Sequence, residues 1–446
     1  MSASGRRLRA WPAALAAVLV GGSLAACHRR VLEVSTGALE SAPASAPSRN
    51  ASDQVIRVSL SNSATDVRVS GSGDFRIFSP DGDDLMARGS RGESWRVERQ
   101  GSRLRAVRPD GVPTLWQEGG LVLRSAALVE DPGDDDSALV RVNGKRYRGE
   151  ILLLPESAGI LVVNRLRMDD YLKGVVPLEI GTRAPADLAA VQAQAVTARS
   201  YAYVRLGEAT ASRPFDVTSG VADQVYGGAE AETALASRAV DETRGLVLQY
   251  GGRVVNAPYH STCGGSTAGA EEIWRSAGEP YLQSVSDRIP GTDRYYCDIS
   301  PRFHWSRTLD GATLRAALVR YLGQYTAVPG GRPGTPQAVA IDSRTASGRV
   351  GTLTISTDRG NFVLRGNDIR SVLRRPGGEI LESTYFSVQT ATGRDGSITR
   401  LTLRGTGYGH GVGMCQWGAI GRARAGQDFR TILRTYYPGT TIGSVE

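Results

Sequence analysis

The chain has 446 residues, 41% of them hydrophobic and 22% charged, which leaves room for two or three folded domains. Its formal charge is +8, falling to +5 once the three arginines ahead of residue 27 are set aside. That modest balance suits an anionic envelope polymer or a membrane surface; without a clustered basic stripe it argues against a nucleic-acid partner.

Arg6, Arg7 and Arg9 precede an apolar run over residues 11–20 and then Leu24-Ala-Ala-Cys27. A basic flank, a hydrophobic stretch too short to span a bilayer and small residues before a cysteine read as a lipoprotein signal over residues 1–26. Cys27 is then the lipidated first residue of an exported, membrane-anchored envelope protein, in the periplasm or on the outer surface. His28 is not the aspartate associated with inner-membrane retention, so the membrane is left open. Residues 27–54, rich in Ala, Ser and Pro, read as a flexible tether.

Residues 55–163 read as a β-rich module. Short apolar alternations at 55–60, 67–69, 75–78, 95–97 and 139–142 are separated by turn signals, and Asn143-Gly144 between strand-like runs predicts a tight hairpin. The module carries little that looks catalytic and reads as scaffold or spacer.

From residue 164 to 446 the pattern predicts a mixed α+β core, so the fold class is α+β: a β-rich front followed by that core. Asp169 and Asp170 cap a short helix that Pro177 is expected to end, leaving Leu178-Glu179-Ile180-Gly181 as a connector. A longer helix is predicted from Pro185 or Ala186 to Leu206, with Asp187 in its first turn and Gly207 beyond its end. Leu188, Val191, Ala195, Ala198 and Ala202 form its core stripe, while Gln192, Arg199 and Tyr203 share another face. Strands are expected at 246–250, 253–256, 338–341 and 352–356, and helices at 314–322, 369–373 and 429–437. No internal repeat is visible.

Two loops concentrate the chemistry. Tyr408-Gly-His-Gly-Val-Gly-Met-Cys-Gln-Trp-Gly-Ala419 sets a histidine, a cysteine, a glutamine and a tryptophan among closely spaced glycines, and Tyr259-His-Ser-Thr-Cys-Gly-Gly265 repeats the composition. Glycine at that density lets backbone approach a ligand, and two such loops can form one cleft. In an exported protein the default for Cys263, Cys297 and Cys415 is one disulfide with an odd thiol left over. The second reading is a zinc set made with His260; the third is three inert thiols. Glu179 sits among Val175, Val176, Leu178 and Ile180, and an apolar pocket raises a carboxyl's pKa until it can donate a proton at neutral pH.

In order and spacing, from about Met168 to Tyr437, four motifs resemble the SpoIID/LytB family, a sporulation-related family of envelope proteins that act on peptidoglycan. They are Tyr171-Leu-Lys-Gly-Val-Val-Pro-Leu-Glu-Ile180, Val191-Gln-Ala-Gln-Ala-Val-Thr-Ala-Arg-Ser-Tyr201, the loop from Tyr259 and the loop from Gly409. The resemblance implies a lytic transglycosylase that cleaves between N-acetylmuramate and N-acetylglucosamine in denuded glycan and closes a 1,6-anhydro ring. It implies Glu179 as the catalytic acid, Arg199 and Tyr203 as substrate-orienting residues, and Gln194, Tyr201, His260, Ser261, Thr262, His410 and Gln416 along the cleft. A basic cleft with Arg199 would favour strands whose lactyl carboxylates are bare. No cofactor is required, and a structural zinc on the cysteines is the one candidate metal. The alternative it implies is a non-enzymatic glycan-binding lipoprotein that stimulates a partner cell-wall amidase. Cys263 and Cys415 stand where many relatives have serine, which points to an added bridge or metal, and Leu178-Glu179-Ile180-Gly181 departs from the usual Ser-Glu-Met-Pro.

Overall fold

A computed structural model describes residues 54–130, 138–208 and 213–445. The signal, Cys27 and nearly all of the tether lie outside the described residues.

The alternating segments of the front become strands. Val55–Ala64 buries Ile56 and Val58 and pairs antiparallel with Gly159–Arg167, Val55 opposite Arg167. This pair lies within a seven-stranded sheet, between Val217–Thr218 on one side and Glu150–Glu156, Leu121–Ser125, Phe75–Phe78 and Leu85–Gly89 in turn on the other. A six-stranded sheet stands beside it, and the edge-to-face contact of Phe75 with Trp95, 5.9 Å between ring centres, links the two. The Asn143-Gly144 hairpin forms as expected between Val140–Val142 and Lys145–Tyr147, with φ of 49° and 84° at its two turn residues.

Gly159–Arg167 is buried for most of its length and leads straight into helix α1 (Met168–Ile180). Pro177 does not end this helix, contrary to expectation; it continues to Ile180 and stops at Gly181, where φ is 79°. Proline removes one backbone donor but holds a helical φ, and burial of Val175, Val176, Pro177 and Ile180 secures the last turn. Two of that turn's orphan carbonyls find side-chain donors: Gln416 Nε2 reaches Glu179 O at 3.0 Å, and Arg183 Nε reaches Ile180 O at 2.7 Å. Glu179 is therefore a helix residue, not part of a connector.

After a short 3-10 turn at Pro185–Asp187 comes α2 (Leu188–Glu208). Every residue from 193 to 200 is buried, so α2 is a central helix. Its small side chains admit α1, α3 (Ala234–Glu242) and two later helices close to its axis. The main core runs continuously from Ile56 to Tyr437, so the β-rich front and these helices share one interior.

Residues 304–406 fold around a second core of Leu309, Leu314, Leu318, Leu353, Ile355, Leu401 and Leu403. Two three-stranded antiparallel sheets and α4 (Gly311–Tyr321), capped by Asp310, enclose it. The chain then returns to the main core through the glycine-rich loop, α5 (Gln416–Arg424) and α6 (Phe429–Tyr436). Thr441–Ser444 pairs with Leu246–Tyr250 near the C-terminus. The fold is α+β. Among the described residues no helix is long and apolar enough to cross a membrane.

Candidate active site

Glu179 projects half-buried from the last turn of α1. Its Oε1 accepts the Val225 amide at 2.9 Å, and the Tyr259 hydroxyl also binds the carboxylate. Behind it runs a buried relay: Tyr171 donates its hydroxyl to Gln224 Oε1 at 3.1 Å, and Gln224 Nε2 donates to the Tyr259 hydroxyl at 3.2 Å. Burial raises the Glu179 pKa above the usual carboxylate value, and the two donors only partly oppose it.

The two glycine-rich loops meet beside this carboxyl. Tyr259–His260 pairs in parallel with Met414–Cys415, and Thr262 bridges to Tyr408. Gly413, with φ of 70°, passes so close to Pro258 that a Cβ would lie 2.0 Å from its carbonyl oxygen, so only glycine fits there. The pairing brings Tyr259 to the Glu179 carboxyl and Gln416 to its main-chain carbonyl. Gln416 Nε2 also donates to Gln194 Oε1 at 3.2 Å, and Gln194, fully buried on α2, has an Nε2 with no partner. Tyr201, two turns further along α2, hydrogen-bonds Asp223 at 3.3 Å on the side of the helix that faces Tyr171 and Tyr259.

The histidines brace the loops. His260 is buried with Nδ1 3.1 Å from Val412 O, and His410 Nε2 lies 2.9 Å from Tyr259 O. Burial holds His260 far below its usual value and His410 down to about 4, so both are neutral at pH 7. Thr262 is buried against Ser300 Oγ at 2.8 Å. Ser261 offers its carbonyl to the Trp417 amide at 3.0 Å. These contacts make His260, His410 and Thr262 supports of the cleft rather than its lining.

Arg199 is a correction. The arginine is 1% exposed and directs its guanidinium away from Glu179: Nη2 and Nε bind Asp169 Oδ1 at 2.8 and 3.2 Å, and Nη1 binds the carbonyls of Thr243 and Leu246 at 2.7 and 3.1 Å. Tyr203 keeps company with that ion pair, its hydroxyl pushed up to about 12 by burial. The face that carries Gln192, Arg199 and Tyr203 packs toward α3, where Gln192 meets Glu242 at 2.7 Å. A fully paired guanidinium with almost no exposed surface does not orient a sugar.

The cysteines correct a second expectation. All three are free, and the Cys263 and Cys297 sulfurs stand 3.4 Å apart, beyond the roughly 2.05 Å of a disulfide. Cys263, Cys297, Cys415 and Asp287 bring their ligand atoms within 4.8 Å of one another, all buried. His260 is not among them; Asp287 occupies the place foreseen for it.

Residues 156–250 match the family described as Stage II sporulation protein, and residues 293–413 match a Domain of unknown function (DUF8618). Stage II sporulation protein D of Bacillus subtilis is 31% identical over 299 residues, covering 64% of this chain and 76% of that protein. The chain belongs to the SpoIID/LytB family. An uncharacterised protein of Brachyspira hyodysenteriae is 33% identical over 301 residues, 68% of this chain and 73% of that one. The amidase enhancer of Bacillus subtilis is 30% identical over 303 residues, 61% of this chain but only 40% of its own length. The first family segment contains α1, α2, α3 and Glu179, and the second spans the lobe built on residues 304–406.

Within this SpoIID/LytB chain several site residues escape sequence reasoning. Tyr259 opens a recognised motif, yet its contact with Glu179 appears only on folding. Gln224 and the Val225 amide lie in a stretch with no motif signal. Arg183, two residues past Gly181, lays its guanidinium 4.8 Å over the Trp417 ring and borders the same helix end. Arg183 and Trp417 are both half-buried and reach solvent, as Arg199 does not.

Proposed function

We propose that the protein is an envelope-anchored lytic transglycosylase of peptidoglycan, exported and lipidated at Cys27, with Glu179 as its acid and base. The observation that carries the reading is the Glu179 carboxyl, half-buried and raised in pKa, where the Tyr259 and Gln416 loops meet. Protonated Glu179 delivers its proton to the oxygen linking muramate C1 to the next N-acetylglucosamine, and that bond breaks. The resulting carboxylate takes the proton of the muramate 6-hydroxyl as O6 closes on C1, so the acid is regenerated and no water is consumed. Tyr259 and the Val225 amide stabilise the carboxylate between the two proton transfers. One carboxyl suffices, because no second group has to activate water at a fixed distance.

The cation that meets a bare lactyl carboxylate is Arg183, stacked on Trp417 at the mouth, in place of Arg199. Cleavage is therefore expected to favour denuded strands over strands whose lactyl groups end in peptide. Incubating the purified chain with both substrates and looking for 1,6-anhydromuramyl ends by mass spectrometry tests this: such ends forming faster on denuded glycan support it, and equal rates contradict the specificity. The name of the amidase enhancer relative favours a second reading, a glycan-binding protein that stimulates a partner amidase. Absence of anhydro ends together with stimulation of an added amidase would replace the first reading with the second.

A further inference from the structure

Four segments far apart in the chain converge on one point in the core. Cys263 comes from the first motif loop, Asp287 from the segment after it, Cys297 from the 3-10 turn Tyr296–Ile299, and Cys415 from the N-cap of α5. We propose that Cys263, Cys297, Cys415 and Asp287 bind one zinc ion, which clamps the two motif loops that flank Glu179. The proposal goes beyond the transglycosylase reading and stands whether or not Glu179 is catalytic.

The spacing fits the metal. With Zn–S bonds of about 2.3 Å, a tetrahedron has edges of about 3.8 Å. Here Cys263 Sγ is 3.4 Å from Cys297 Sγ and 3.7 Å from Asp287 Oδ2, with every ligand atom inside 4.8 Å. Three sulfurs also cannot be exhausted by one disulfide, and each is buried too deeply to serve as a surface thiol.

The surroundings are arranged for ligation. Asp287 Oδ1 is already taken by the Tyr436 hydroxyl at 2.7 Å and Arg422 Nη2 at 3.1 Å, which orients Oδ2 toward the sulfurs. The amides of Cys263 and Gly418 point at Cys415 Sγ at 3.1 and 3.2 Å, a pattern that stabilises a thiolate. Gly418 is required for this approach: a Cβ there would stand 2.5 Å from Asp287 Oδ2. Three thiolates and a carboxylate carry four negative charges, of which a divalent ion and Arg422 offset three, and the ion displaces the thiol protons as it binds.

Position gives the ion its consequence. Cys263 lies four residues beyond Tyr259, and Cys415 immediately precedes Gln416, so one ion fixes the relative placement of the two side chains that meet Glu179.

The test is metal analysis of the full chain, purified anaerobically under reducing conditions and loaded with zinc. The expected result is close to one zinc per chain after desalting, release of that zinc when a mercurial titrates three thiols, and thiolate-to-cobalt charge-transfer bands after cobalt exchange. Asp287→Asn keeps all three sulfurs and is expected to bind zinc at least about tenfold more weakly; Cys297→Ser is expected to lose the ion. If Cys297→Ser does not fold, wild-type stoichiometry and Asp287→Asn decide. A zinc-loaded preparation that retains no metal, an Asp287→Asn protein with unchanged affinity, or a mass two daltons below the reduced chain would overturn the proposal.

Discussion

The two ends of α1 each carry an acid beside a polar side chain of α2, and they are finished in opposite ways. At the first turn Asp169 closes on Arg199, whose remaining donors go to backbone carbonyls, so that no capacity is left over. At the last turn Glu179 is half-buried, takes an amide and a hydroxyl, and lies next to Gln194, whose Nε2 has no partner. A buried polar group that is fully paired holds a fold together, whereas one left with capacity beside a raised acid marks a place for a ligand. Sequence cannot separate the two ends, because both pair an acid of α1 with a motif residue of α2.

Arg199→Met should break the closed end and nothing else. Removing the buried partner leaves Asp169 only its 3.6 Å ion pair with Arg244, and the expected loss is about 3 kcal/mol in denaturant unfolding, with KM for glycan unchanged in the folded fraction. A stable Arg199→Met protein with a raised KM would erase the distinction between the ends. Tyr259→Phe probes the open end more gently, at about 1 kcal/mol of stability for one hydrogen bond. Because the hydroxyl holds the Glu179 pKa down, its removal should move the alkaline limb of the kcat/KM profile to higher pH; a fixed limb would detach Tyr259 from the carboxyl. Arg183→Ala should raise KM for denuded glycan about twofold to fivefold, in proportion to a solvent-screened cation, and the effect should fade at high salt.

The smallest effect is one of sign. Burial raises the folded pKa of Glu179 above its ordinary 4.5, so the stability it contributes is complete below that value and is lost as pH rises through the folded value. Glu179→Gln has no such loss. The variant should therefore melt above the wild type at pH 7 and level with it near pH 4, and a lower melting temperature at pH 7 would mean that the carboxylate is well solvated.

Much of the fold was legible because single patterns settled it. The alternation at 55–60, the Asn143-Gly144 turn and the Pro185-to-Gly207 punctuation each specify local geometry with little help from tertiary contacts. Pro177 misled because burial of α1 outweighs one missing hydrogen bond. The grouping of Arg199 with Tyr203 was right as helix geometry, but Arg199 turns to Asp169 and not to the cleft: period fixes which residues share a face, while only packing decides what that face meets. Asp287 carried no signal at all, sitting among serines and valines with its nearest cysteine ten residues on, yet it completes the buried set. The second core at residues 304–406 was read as scattered strands and helices, since nothing local states that they close on one another.

The most direct test of the account sets wild type and Glu179→Gln side by side on denuded glycan at equal folded fraction, with 1,6-anhydromuramyl ends counted over time. Loss of a positioned general acid predicts a fall of at least about a hundredfold with binding of glycan retained. Anhydro ends formed by the glutamine variant at the wild-type rate would contradict the claim that this carboxyl moves the proton.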